Sequence, residues 1–155
     1  GISVIVRGSL MNVAFTNMAV LANMEANYAQ RKFIKDINGV SAFSNGLTDS
    51  TLIFTSSFNG SEYQYVIDNE TNTIKCSKDG GTPGLLIQRV VKDSTINEVN
   101  YISKFTYKDE NNSDLGDSPS AADVHGVELT FYLLRGESFY KYTTYATTDN
   151  NQLDL

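Results

Sequence analysis

The sequence predicts an α+β domain in which one long N-terminal α-helix packs on one or two antiparallel β-sheets. Residues 10–37 contain neither proline nor glycine, whereas both prolines and most of the glycines come later. After this segment the apolar residues recur at every second position, which is the period of a β-strand. One helix followed only by strands is the layout of an α+β domain.

The predicted helix covers residues 3–37 and carries one apolar stripe. Arg31, Lys32 and Lys35 lie in its last turns, where the helix dipole favours cations. Asn38-Gly39 is expected to end it, because both residues tolerate the left-handed conformation of a helix C-cap. From residue 10 the helix would be about 40 Å long at about 1.5 Å per residue. The stripe recurs at intervals of three and four residues and consists of Met11, Phe15, Met18, Ala22, Ala26, Ala29, Phe33 and Ile37.

The β-rich region is predicted over residues 47–148 of a single domain that spans residues 1–155. Leu52 and Phe54 alternate with their neighbours, and Asn59-Gly60 then precedes a second alternating run, which is a strong hairpin signal. Residues 149–155 are polar and are expected to form a frayed tail. Further strands are predicted at 63–67, 73–77, 85–91, 99–108, 127–135 and 139–147.

Charge argues against a nucleic-acid partner. The formal net charge is −6, and no stretch gathers several cations in a row. Phosphates would be repelled by such a chain. Adsorption to an anionic membrane surface is disfavoured for the same reason.

Catalytic chemistry finds little support in the sequence. Cys76 is the one cysteine and is expected to be a partly buried strand residue without catalytic or metal-binding function. His125 is the one histidine and has Asp123 nearby, but no Gly-x-Ser-x-Gly turn accompanies it. We therefore expect no enzyme and no organic cofactor.

The loop over residues 109–123 is rich in oxygen ligands. Carboxylates and amides spaced by two residues can wrap a calcium ion. However, Asp114 stands where an EF-hand needs glycine, and no glutamate closes the loop. A solvated loop is the simpler interpretation, and the calcium alternative names Asp109, Asn111, Ser113, Asp114 and Asp117.

Tyrosines concentrate near the C-terminus. Tyr140 and Tyr142 fall on one face of their predicted strand, and Tyr145 falls on the other. Tyrosine is amphipathic and common at interfaces, so this strand offers a surface for stacking on a ligand such as a sugar. Half-buried packing within the sheet is the favoured interpretation.

The order of several segments resembles a known family. The helix end over residues 25–37 is followed by a strand at 50–54, a tyrosine-rich strand at 63–65, a short strand at 73–76, a strand at 99–108 before an acidic turn, and a strand at 127–131. This order is similar to that of the soluble domain of type IV pilin-like proteins. It most resembles the PilW-like minor pilins and the J-type minor pseudopilins of type II secretion.

The resemblance implies a pilin-like fold and a structural function. The chain would be a minor pilin or pseudopilin in a filament, in a tip complex that primes assembly or contacts ligands. The inner stripe of the helix would pack on the sheet, and its other side would meet adjacent pilins or pseudopilins. The stripe residues named above are assigned to this helix spine for subunit packing. An apolar helix half upstream of Gly1 would anchor the protein in the bacterial inner membrane before it enters a periplasmic or extracellular filament. The alternative is a secreted, non-enzymatic module that binds a ligand such as a carbohydrate.

Overall fold

A computed structural model describes the backbone of residues 2–148 and the side chains from residue 18 onward. The predicted tail at 149–155 lies outside these residues. The architecture is α+β, with one N-terminal helix and antiparallel sheets, as predicted.

Helix α1 covers Ile2–Asn38 and agrees with the predicted bounds within one residue at each end. The predicted reason for its end is wrong, because neither Asn38 nor Gly39 has a positive φ. The chain instead turns directly from the helix into a strand. Gly39 leaves space for the ring of Phe58, which a Cβ at residue 39 would overlap.

The first sheet has five antiparallel strands in chain order, β1-β2-β3-β4-β5. The predicted hairpin is confirmed: β2 and β3 pair through residues 51–55 and 62–66, and Gly60 has a φ of 71° in the turn between them. Strand β1 was not predicted. With it, the β-rich region begins at Val40 and not at residue 47. The strands are β1 Val40–Phe43, β2 Thr51–Ser56, β3 Glu62–Asp68, β4 Thr73–Lys78 and β5 Gly84–Gln88.

The second sheet is organised around a long central strand, β10. It pairs along its whole length with the edge strand β11, as predicted. Its other side is shared between β9 and β6. A separate pair of strands, β7 and β8, forms a hairpin. The strands are β6 Val90–Val91, β7 Asp93–Ile96, β8 Val99–Ile102, β9 Lys104–Lys108, β10 Gly126–Arg135 and β11 Ser138–Thr147.

Two strands predicted as continuous are each divided between two sheets. The run over residues 85–91 breaks at Arg89, whose φ is 56°, so that β5 and β6 join different sheets. The run over 99–108 breaks at Ser103, which is fully buried. Its hydroxyl donates to the carbonyl of Val91 and accepts from the amide of Tyr132 at 3.0 Å. Apolar residues stand on both sides of each break, and for this reason the sequence pattern did not reveal them.

The core lies where α1 meets both sheets. Phe33 is fully buried at its centre and has its ring centroid 6.3 Å from that of Tyr65 on β3 and 6.4 Å from that of Phe105 on β9. The hydroxyl oxygen of Tyr107 lies 2.8 Å from the carbonyl oxygens of Thr48 and Thr51, and so connects β9 to the start of β2 and the loop before it. The helix and the two sheets therefore share one core.

Replacing Phe33 by alanine is expected to lower the free energy of unfolding by about 3–5 kcal/mol, because it leaves a cavity between the sheets. Ile34→Ala is the matched control. The side chain of Ile34 is 38% exposed, and a loss below about 1 kcal/mol is expected. Urea titration followed by circular dichroism measures both values. Equal losses would contradict the central position of Phe33.

Candidate functional site

The predicted stripe of α1 is mostly internal. Its members from Ala22 onward are fully buried against the sheets of their own domain, so they are not available to a neighbouring subunit, and their predicted assignment to subunit packing needs correction. Met18 is 38% exposed and lies beside Gly136 in the β10–β11 turn. Met11 and Phe15 lie outside the described side chains. The buried members are Ala22, Ala26, Ala29, Phe33 and Ile37.

A second apolar surface lies on the opposite side of the helix. Val20, Leu21, Met24 and Tyr28 are between 48% and 63% exposed. Successive residues turn by about 100° around a helix, which places Met24 directly opposite the centre of the buried stripe. We call these four residues the outward apolar face. The intervals of three and four residues between Leu21, Met24 and Tyr28 were visible in the sequence, but attention to a single stripe missed them.

The same helix becomes basic toward its C-terminal end. Arg31, Lys32 and Lys35 line a groove of about 380 Å³ that also includes Tyr28. An adjoining cavity of about 230 Å³ reaches from Tyr28 and Lys32 across to Lys78 on β4 and to β5. We call Arg31, Lys32, Lys35 and Lys78 the basic surface. It gathers four cations in a chain whose net charge is −6.

Below the basic surface, a polar cluster ties α1 to β3. The Lys32 Nζ lies 2.7 Å from Asp36 Oδ2, and it donates to the Tyr65 hydroxyl at 3.2 Å. That hydroxyl donates to the same carboxylate oxygen of Asp36. Burial alone would lower the pKa of Lys32, but the hydrogen bond and the charge of Asp36 offset this effect and raise it. The cluster therefore holds the Lys32 cation in a defined position.

A second polar cluster lies nearer the start of the described part of α1. Arg135, at the end of β10, is 5% exposed and its Nη2 lies 2.8 Å from Glu25 Oε2. Its guanidinium also donates to the carbonyls of Leu134, at 2.9 Å, and Gln88, at 3.2 Å. Arg135 thus joins the helix to β10 and to the end of β5. Sequence reasoning missed this pair, because 110 residues separate its members.

The predicted calcium ligands do not converge. Asp109 Oδ1 accepts hydrogen bonds from the amides of Asn111 and Ser113, both at 2.9 Å, and so closes its own turn. Asp114 Oδ1 lies 2.6 Å from Lys108 Nζ. Asp117 is exposed further along the loop. In the described part of the chain, no three histidine, cysteine or acidic side chains are arranged to hold a metal ion.

His125 borders a cavity of about 490 Å³ together with Asp109, Glu110 and Asp123. Among the residues described there, none supplies a hydroxyl or thiol. The cavity therefore brings carboxylates to the side of His125. Cys76 is half-buried on β4, and burial raises the pKa of its thiol. Its predicted position as a partly buried strand residue is confirmed.

The tyrosines of β11 occupy opposite faces of the strand, as predicted. Tyr140 and Tyr142 pack against the core, and the Tyr142 hydroxyl donates to Asn23 Oδ1 on α1 at 2.6 Å. Tyr145 is 41% exposed and lies over Gly126. Half-buried packing is therefore confirmed for the first two, and they do not form an open stacking surface.

No protein-family model, curated protein or solved structure is significantly similar to this chain. Within the residues that the structure describes, no helix combines the length and the apolar character needed to cross a bilayer. The α+β class is what the structure establishes, and the pilin resemblance stays a prediction. The outward apolar face and the basic surface beside it form the candidate site.

Glu25→Ala is expected to lower the free energy of unfolding by about 2–3 kcal/mol, since it leaves the buried Arg135 guanidinium without its charged acceptor. Asn27→Ala, at an exposed position of the same helix, is expected to change it by less than about 0.5 kcal/mol. Chemical denaturation measures both. A Glu25→Ala variant as stable as the control would contradict a stabilising contribution from this pair.

Tyr65 is expected to make the fold sensitive to alkali. Burial and the charge of Asp36 raise its pKa well above the ordinary 10.0, and burial also raises the pKa of Tyr107. The folded state keeps protons that the unfolded chain releases. The contribution of these two tyrosines to the free energy of unfolding is therefore fully present below about pH 10. Above that pH the free energy of unfolding falls by up to about 1.4 kcal/mol per pH unit for each tyrosine.

Unfolding free energies measured on both sides of about pH 10 test this expectation. Tyr65→Phe should lose stability less steeply than the wild type, and the double variant Tyr65→Phe/Tyr107→Phe should be flatter still. The same slope in the wild type and in both variants would contradict the assignment.

Proposed function

We propose that this chain is the globular domain of a minor pilin or pseudopilin, a structural subunit that joins a filament through α1. The observation that carries the proposal is the outward apolar face. Because the opposite side of the same helix is fully buried in the domain, α1 presents apolar side chains in two opposite directions. A helix that is apolar on both sides is expected to have a partner on each.

The size and composition of this face fit a protein contact. Val20, Leu21, Met24 and Tyr28 lie within about two and a half helical turns and form one continuous surface. Clustered exposed apolar residues of this kind are typical of interaction sites, whereas scattered ones are not. Methionine and tyrosine are also among the residues enriched at interfaces. The face is therefore suited to pack against another subunit.

The length of α1 supports the same interpretation. It begins at Ile2, about 24 Å of helix before Met18 at about 1.5 Å per residue, and Met18 lies at the tip of the β10–β11 hairpin. A helix of this length at the start of an antiparallel α+β domain agrees with the order of elements on which the pilin resemblance rests. The proposal includes a location in the bacterial inner membrane before assembly, and afterwards in a periplasmic or extracellular filament with other pilins or pseudopilins.

The alternative, a secreted carbohydrate-binding module, has less support. A stacking surface needs exposed aromatic rings in a row. Tyr140 and Tyr142 instead face the helix, and Tyr145 alone of the three faces outward. In the acidic loop, Asp109 closes its own turn and Asp114 pairs with Lys108. No observation on these residues favours a ligand over packing.

Met24→Glu tests the proposal. The substitution is expected to leave the free energy of unfolding within about 0.5 kcal/mol of the wild type, because the side chain is 62% exposed. It should nevertheless exclude the protein from filaments, because a charge at the centre of an apolar contact would be buried without a partner. The measurement is the amount of full-length protein in sheared filaments from the source bacterium.

Thr143→Glu is the matched control, since Thr143 is exposed on the outer side of β11. It should enter filaments as the wild type does. Normal incorporation of Met24→Glu, or absence of the wild-type protein from every filament fraction, would contradict the proposed function.

A further inference from the structure

The basic surface is a local exception in an acidic chain. Arg31, Lys35 and Lys78 are exposed, and Lys32 is held half-buried between them. Two carboxylates, those of Asp36 and Asp79, lie beside the basic surface. Asp36 is engaged by Lys32 and Tyr65, and the exposed Asp79 follows Lys78. The local formal charge is still positive, and Tyr28 places an exposed ring in the middle.

The complementary charge is concentrated in the acidic segment, residues 109–123. This segment contains five acidic residues and no lysine or arginine. Glu110, Asp114, Asp117 and Asp123 are all exposed. Lys108, just before it, pairs with Asp114 alone. The remaining carboxylates give the segment a strong local negative charge.

Lys78 of the basic surface and the end of the acidic segment lie toward opposite edges of the first sheet. The end of the acidic segment lines a cavity with β1, and the basic surface borders β4 and β5. Strands β1 and β5 are the two edges of that sheet, and four strand spacings of about 4.8 Å separate them by about 19 Å. This exceeds the screening length of about 8–10 Å in ordinary salt. Among the described residues, no ion pair joins the acidic segment to the basic surface.

We propose that copies of this chain associate head to tail, with the acidic segment of one copy against the basic surface of the next. The contact joins two different surfaces, so it is heterologous and leaves a free surface at each end for further copies. Because each copy carries a net charge of −6, most approaches are repulsive and this orientation is favoured. The inference rests on the proposed function, since it specifies a second copy of the chain as one neighbour in the filament.

Charge reversal in two variants tests the contact. The first is Lys35→Glu/Lys78→Glu, and the second is Glu110→Lys/Asp117→Lys. Each variant alone is expected to associate about tenfold more weakly than the wild type, because like charges then meet at the contact. An equimolar mixture of the two should regain association, since each variant supplies the surface that the other has lost. Sedimentation velocity at low salt measures all three samples.

The matched control is Lys104→Glu/Lys141→Glu, which changes the total charge as the first variant does but at exposed sites on β9 and β11. It should associate more strongly than Lys35→Glu/Lys78→Glu. Thermal unfolding confirms that each variant is folded, and the single variants Lys78→Glu and Asp117→Lys replace any double variant that is not.

Monomeric wild-type protein at every concentration, equal weakening by the control, or a mixture that stays dissociated would overturn the inference. These results are distinct from those for Met24→Glu. Salt-sensitive association that the mixture restores, together with normal filament entry of Met24→Glu, would support the head-to-tail contact and reject the proposed use of α1.

Discussion

Burial of one side of α1 between two separate sheets is the constraint on which the rest of this structure depends. The buried stripe consists of alanines toward the start of the described helix and of Phe33 and Ile37 toward its end. Alanines bring the backbone of the helix close to β11, whereas Phe33 fills the wider space between β3 and β9. The change from small to large side chains thus accompanies the change of neighbour along the helix.

Apolar contacts alone would leave the helix free to slide and rotate, and the polar contacts along it remove that freedom. Asn23 accepts from Tyr142, Glu25 pairs with Arg135, and Gln30 donates to Thr144. Nearer the C-terminal end, Asp36 accepts from Tyr65. Hydrogen bonds need defined geometry, whereas burial of apolar area does not. These contacts therefore determine which residues of α1 face outward.

The rigid attachment of one side of α1 fixes which residues its other side exposes. The outward apolar face and the basic surface follow one another along the same helix, so a neighbour would meet an apolar contact first and a charged one further along. The end of the acidic segment lies across the first sheet from Lys78. In protein contacts, apolar area supplies affinity and charge supplies orientation. Here the outward apolar face lies on α1, and the basic surface lies on α1 and β4.

The sequence by itself determined the helix, the β2–β3 hairpin and the β10–β11 pair, because all of them are local. The stripe of α1, the Asn59-Gly60 turn and the pairing of β10 with β11 follow from residues a few positions apart. Other features depended on partners distant in sequence. The breaks at Arg89 and Ser103 follow from the division of strands between sheets.

The candidate site required the tertiary structure for the same reason. Residue spacing placed the stripe on one side of α1, and the resemblance implied that an inner stripe packs on the sheet while the other side meets neighbours. Neither of them gave the residues of each side. The burial of Ala22 and Ala29 answers this, and it leaves Met24 outward. Likewise, Lys78 joins Arg31 and Lys35 only because β4 lies beside the helix. Local sequence patterns encode periodicity, whereas the partner of each face is decided by long-range packing, which no short segment contains.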